Sequence, residues 1–93
     1  MTVQALVVTT EHKGVFFGYG ELREGKVIEL DKARMCVYWS EQTKGVVGLA
    51  SHGPQVGSRI TPAAPHIILE DVTAKIVCSE AAAKQWENDL WQK

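Results

Sequence analysis

Gly57, Ser58 and Arg59 follow one another inside the stretch GLASHGPQVGSRITPAAPH, residues 48–66. Together they offer backbone N–H groups, a hydroxyl and a guanidinium in sequence. Such a set can grip a phosphate or carboxylate. Arginine gives bidentate charge-assisted bonds, and a glycine-flanked turn can form an anion-binding nest. The structural alternative is an Arg59 that bonds loop carbonyls or a nearby acid and holds the segment shut. Tyr38 and Trp39 supply the aromatic half of a site, since either ring could stack on a nucleobase while Arg59 holds phosphate. The bland counterpart is core packing of Trp39 and half-burial of Tyr38. His52, Arg34 and Thr61 are secondary members of the same constellation.

Enzymatic signatures are missing from the sequence. There is no phosphate-cradling GxxxxGK[ST], and no GxGxxG between a strand and a helix. There is no GxSxG elbow. His12, His52 and His66 fall in predicted loops or strand edges and match no HExxH or HxH spacing. Cys36 and Cys78 lie far apart without a CxxC pair. They are expected to be buried thiols, and no metal site or cofactor is expected. The Glu70–Asp71 pair reads as a solvated turn. The expectation is a protein that is not an enzyme.

Composition narrows the partners. The chain has 93 residues and a formal net charge of −1. A domain of this size buries roughly 60% of its unfolded surface, enough for one modest core. Near-neutrality argues against a general binder of extended nucleic acid, which carries a basic excess. It argues equally against an acidic DNA mimic. No apolar run approaches the roughly 18 residues of a membrane helix. The N-terminus has no signal-peptide pattern, so a cytoplasmic protein with no membrane partner is expected.

The elements that must position these groups read as mainly β. Residues 3–10 and 15–21 predict strands, with Gly18 and Gly20 marking a bulge, a bend or close backbone approach. Glu24-Gly25 predicts a tight turn, followed by a strand over 26–30. Residues 33–40 predict the clearest strand, with Met35, Val37 and Trp39 on a core face and Arg34, Cys36, Tyr38 and Ser40 on a partly open one. Residues 45–50 predict a short, glycine-weakened strand. The segment 48–66 then predicts one long ordered loop, braced by Pro54, Pro62 and Pro65. Loops of that length are usually functional or disordered, and three fixed φ angles favour order. Strands follow over 67–69 and 72–78. Ser79 predicts an N-cap, with Glu80 at the positive end of the helix dipole. Ala83, Trp86 and Leu90 define the apolar stripe of that helix. The fold class is thus mainly β (α+β), a small twisted antiparallel sheet or barrel-like domain with one C-terminal helix. A single domain spans 1–93, with strands over about 3–78 and the helix over about 79–91. Trp91, beyond the stripe, is a candidate interface residue.

The order of features resembles a family of small tailed-phage and prophage proteins, a domain of unknown function. The carrying stretches are KGVFFGYG (13–20), ARMCVYWS, GLASHGPQVGSRITPAAPHIIL and VTAKIVCSEAAAKQW, so the resemblance runs from about residue 5 to 86. Its most specific part is Gly-Ser-Arg-Ile with a proline six residues after Arg59. Met35-Cys36 departs from the larger side chains expected there. The resemblance implies a phage origin and a sheet-rich small domain. Small phage proteins without catalytic motifs often look like inhibitors of host immunity.

These features together set the expectations. The first is a non-enzymatic protein that sequesters a small phosphate-bearing ligand, a cyclic nucleotide or related immune signal, in the cytoplasm of an infected host cell. Arg59, Ser58 and Gly57 hold phosphate in that reading and Tyr38 or Trp39 stacks on a base, at a site formed between protomers of a homo-oligomer. The alternative is a protein-interaction module, either an inhibitor of a host defence protein or a small virion component.

Overall fold

The computed structural model describes residues 3–12 and 14–88. Strand β1, Val3–Thr10, pairs antiparallel with β2, Val15–Glu21, from Val3 opposite Glu21 to Thr9 opposite Val15. Strand β3, Ile28–Tyr38, continues the sheet on the other side of β2. The glycines of β2 make this pairing possible by close backbone approach. A Cβ on Gly20 would lie 2.4 Å from the Glu29 carbonyl oxygen.

The strands expected over 26–30 and 33–40 are one continuous strand. Lys32, with φ of +52°, sits inside β3 at an irregularity in the pairing between Phe17 and Tyr19. A bulge of this kind lets a strand bend without ending. It also changes which side chains face inward. Arg34 and Cys36 are buried, whereas Val37 is 50% exposed. The expected core face of Met35, Val37 and Trp39 is therefore corrected. A second register shift between Cys36 and Tyr38 completes the departure from simple alternation.

The segment expected as one long loop is largely regular. Residues 45–51 form helix α1, Gly45–Ser51, and not a strand. A short apolar run is ambiguous between the two by periodicity alone, and as a helix this one buries Leu49 and Ala50 in the outer core. Gly48 packs so closely on the preceding 3-10 turn, Glu41–Thr43, that a Cβ would fall 1.5 Å from the Thr43 carbonyl oxygen. Residues 59–69 then run antiparallel along the free edge of β3. Strand β4, Arg59–Ile60, pairs with Cys36 and Tyr38, and β5, Ala64–Leu69, pairs with Ile28 to Ala33. Between them, Thr61 N–H donates to the Met35 carbonyl and Thr61 Oγ1 accepts from Met35 N–H, both at 3.0 Å. Pro62 and Pro65 are tolerated because this is an edge strand.

Strand β6, Val72–Val77, pairs with the outer side of β1. The sheet order is β4-β3-β2-β1-β6, with β5 also on β3. The sheet is strongly curled but not closed. The β2–β3 connection spans the gap: Val72 N–H donates to the Lys26 carbonyl at 3.0 Å, and Lys75 Nζ donates to the Arg23 carbonyl. Inside the curl lie Leu6, Val8, Ile28, Leu30, Ala33, Leu69 and Val72. On the outer face, α1 and α2, Glu80–Asn88, cover Val7, Val15, Phe17, Cys36 and Ile60. β1 is thus buried on both faces, with Leu6, Val7 and Val8 each 0% exposed. That explains its continuous apolar run.

Ser79 caps α2 as expected, its Oγ accepting from Ala82 N–H at 3.0 Å. Trp86 is the anchor. It is fully buried, stacks on Phe17 with ring centroids 5.0 Å apart, and donates its indole N–H to the Leu49 carbonyl at 3.0 Å. Leu90 and Trp91 lie outside the described residues. No helix among the described residues is long and apolar enough to cross a membrane. Replacing Trp86 with alanine should cost about 3–5 kcal/mol, against about 1 kcal/mol for Ser79→Ala. Urea unfolding checks the ratio, and equal effects would show that α2 is held by its cap and not by its anchor.

Candidate functional site

The sequence constellation divides into two groups in space. The first is internal. Arg34 is only 7% exposed, with Nε donating to the Thr61 carbonyl at 2.8 Å and Nη1 donating to the Trp86 carbonyl. Ser58 is buried, and its Oγ accepts from Ser40 N–H at 3.0 Å and lies 3.3 Å from Thr43 Oγ1. Thr43 Oγ1 accepts in turn from Gln55 N–H at 3.1 Å. Three small hydroxyls therefore knit the turn of residues 55–58 onto the end of β3. Thr61 is engaged by Met35 and Arg34 through its side chain and carbonyl. Gly57, adjoining this group, is exposed in that turn and takes φ of +96°, a conformation glycine adopts without strain. Trp39 is half-buried against the outer core.

The second group faces solvent. Tyr38 and Arg59 are direct partners across the β3–β4 ladder and share one face of the sheet. Tyr38 is 56% exposed, and Arg59 is exposed. Val37 and Val56 are exposed on the segments that adjoin them. His52 is exposed where α1 ends, its N–H donating to the Gly48 carbonyl at 2.8 Å. The structure thus brings Arg59 and Tyr38 together and separates them, by burial, from Ser58 and Arg34, while Thr61 is partly buried.

A further cluster was not singled out from the sequence. His66 on β5 stands opposite Asp31 on β3. Its Nδ1 lies 2.6 Å from Asp31 Oδ1, and its Nε2 lies 3.0 Å from Glu29 Oε1. These groups line a cleft of about 440 Å³ together with Tyr19, Glu21 and Arg23. Arg23 is itself bonded to Glu21 through Nε at 3.1 Å and Nη2 at 2.8 Å. Glu29 and Asp31 share a face of their strand by simple alternation. Finding His66 beside them required knowing that the chain stays extended past Pro65 and in which register it pairs.

The electrostatics describe a paired surface. The hydrogen bonds to Asp31 and then Glu29 raise the His66 pKa above its ordinary 6.5. Both ring nitrogens face carboxylates, so neither is placed to take a proton from a substrate. Tyr19 is pushed up to about 12, first by burial and then by its hydrogen bond to Glu87. Burial pushes the Cys78 thiol up to about 12, which keeps it protonated and a poor nucleophile at neutral pH. Among the described residues no group of three or more His, Cys, Asp or Glu side chains is placed to hold a metal ion.

Fold and surface together define a small α+β domain, a curled antiparallel sheet with two helices on its outer face. A family model described as Domain of unknown function (DUF6948) matches residues 3–86, and the chain belongs to that family. No curated protein and no solved structure matches the chain.

The His66 bridge carries a pH signature. Its pKa is raised on folding, so its stabilising contribution is full below the unfolded value near 6.5 and is lost as pH rises through the higher folded value. The melting midpoint of the wild type should therefore fall more steeply with rising pH in that window than that of His66→Gln. Parallel curves would show that the bridge does not couple β5 to β3.

Proposed function

We propose that this chain is a non-enzymatic binding protein and that its contact surface is the β3–β4 edge bearing Arg59 and Tyr38. The observation that carries the proposal is that these two side chains are cross-strand partners on an exposed face. Tyrosine and arginine are among the residue types enriched at protein-binding hot spots. Val37 at 50% exposure and Val56 at 83% add apolar surface on the neighbouring segments. Ser58, Thr61 and Arg34 are held in internal bonds, which favours a partner that meets a surface over a ligand that enters a phosphate grip. In the phage setting that the sequence resemblance implies, the partner class is a host defence protein, met in the cytoplasm of the infected cell.

A second reading rests on the same pair. A tyrosine ring beside a guanidinium can stack on a base and hold a phosphate. A cyclic nucleotide signal sequestered there would be covered by a second copy of the chain, which makes a homo-oligomer part of this reading.

Two experiments separate the readings. In the first, Arg59→Ala and Tyr38→Ala should each weaken capture of a protein partner by about 2 kcal/mol or more while leaving the melting midpoint unchanged. In the second, melting is followed against a panel of cyclic nucleotides. A ligand at 100-fold above its dissociation constant adds about 2.7 kcal/mol of stability, a shift of many degrees in a domain of this size. A shift abolished by Arg59→Ala supports sequestration. A flat panel, with a partner lost on Arg59→Ala, supports the interaction module. Variants that bind a partner as the wild type does would remove this edge from the function altogether.

A further inference from the structure

The turn that leads into β4 holds an apolar side chain out in water. Ser58 N–H donates to the Gln55 carbonyl at 3.0 Å, and Gly57 takes φ of +96°. Gln55, Val56, Gly57 and Ser58 therefore form a β-turn with glycine at its third position, the signature of type II. Both flanks of the turn are sunk in the protein. Pro54 and Ser58 are fully buried. Gly53 lies so close to α2 that a Cβ on it would stand 2.5 Å from Gln85 Cβ. Gln55 ties the turn down from its own side, its N–H donating to Thr43 Oγ1 and its Nε2 to the Gly53 carbonyl, each at 3.1 Å. Val56, at the apex, is 83% exposed, more than any other large hydrophobic among the described residues. A side chain fixed in place before a partner arrives loses little freedom on binding.

Two further observations say what such a partner presents. Arg59, three residues on, is exposed and makes no ion pair or side-chain hydrogen bond among the described residues. Its charge calls for a carboxylate from outside. The edge itself offers a poor template for an added strand, which needs a row of open backbone groups. β4 is only two residues long, and Thr61 N–H is taken by the Met35 carbonyl. Pro62 and Pro65 have no N–H to give. Side chains, and not backbone, must make the contact here.

We infer that Val56 is the anchor of this surface and enters an apolar pocket of a partner protein, beside a carboxylate that meets Arg59. The inference rests on the reading of the β3–β4 edge as a protein contact, and it names the shape and charge that the partner brings. Tyr38 flanks the anchor and Ser58 is a positioning residue, holding the turn through its buried hydroxyl.

The test has three arms on the full chain. Amide relaxation of the free protein should give residues 55–58 order parameters like those of rigid backbone, about 0.85, and values below about 0.6 would overturn the inference. The immobilised wild type then serves as bait, and the protein it retains is the probe for the variants. Val56→Asp should weaken retention at least tenfold and Val56→Ile should keep it, neither moving the melting midpoint, because the side chain stands in water. Arg59→Lys keeps the charge and allows carbodiimide coupling, which should join position 59 to an aspartate or glutamate of the retained protein. Coupling to no acidic residue overturns the inference. If Val56→Asp retains the protein fully while Arg59→Ala and Tyr38→Ala lose it, the anchor is wrong and the contact reading stands. If the wild type retains nothing, or all these variants retain as it does, the contact reading fails and the anchor with it.

Discussion

A guanidinium placed inside a small domain must be met by acceptors, and where those acceptors lie fixes much of this structure. Arg34 stands near the middle of β3 and is almost completely buried. It donates to the carbonyl of Thr61, at the kink between β4 and β5, and to the carbonyl of Trp86 on α2. One side chain therefore ties the central strand to the edge strand and to the covering helix. Burying an unpaired charge is far more costly than burying a paired one, so Arg34 couples the ordering of these three segments. Arginine suits the position because its planar fork offers several donors at fixed angles.

The same logic operates on a smaller scale at the end of β3. Ser40, Thr43 and Ser58 share hydroxyl contacts in a region where backbone N–H groups of Ser40 and Gln55 have no helix or sheet partner. Small hydroxyls accept from a neighbouring N–H and still reach one another. They turn residues 52–58 from an entropic liability into a fixed connection between α1 and β4. A glycine-serine-arginine run can therefore arise from the demands of chain order alone. Ser58 faces inward because the turn needs its oxygen, and Arg59, one residue on, faces outward because strand geometry alternates.

The fold was legible in the sequence wherever period and punctuation agreed. Strands β1 and β2, the Gly25 turn and the Ser79 cap all follow from local rules and stand where those rules put them. Three features were not legible for three physical reasons. The helix at 45–51 is too short and too apolar to have a readable period, and its apolar side, Leu49 and Ala50, shows only once the outer core is assembled. The inward face of β3 is set by a bulge at Lys32, a non-glycine residue with positive φ that no pattern announces. The buried state of Arg34 depends on carbonyls 27 and 52 residues away in sequence. The candidate site was half legible for a related reason. Residue type picked out Arg59 and Tyr38 and could not tell them from Ser58, because exposure depends on register. Sequence alone places His66 only in a loop or strand edge, because its meaning lies in the strand opposite.

Packing limits where this domain can act. The interior of the curl is filled by Leu6, Val8, Leu30 and Leu69, and the outer face is filled by Phe17, Ile60, Leu49 and Trp86. β1 contributes to both cores, so neither can be opened for a ligand without losing contacts on a strand that serves the other. Protein interiors are packed too densely for such a loss to be absorbed by small shifts. Any ligand or partner would therefore be met at rims and edges, where the sheet runs out of hydrogen-bonding neighbours. The β3–β4 edge and the His66 cleft both lie at such places. A sheet that closed into a barrel would have removed its edges. This one leaves them open and bridges its gap by the Lys26 carbonyl and the Lys75 ammonium, while side chains such as Arg59 and Tyr38 stay at a solvent-facing surface backed by the core.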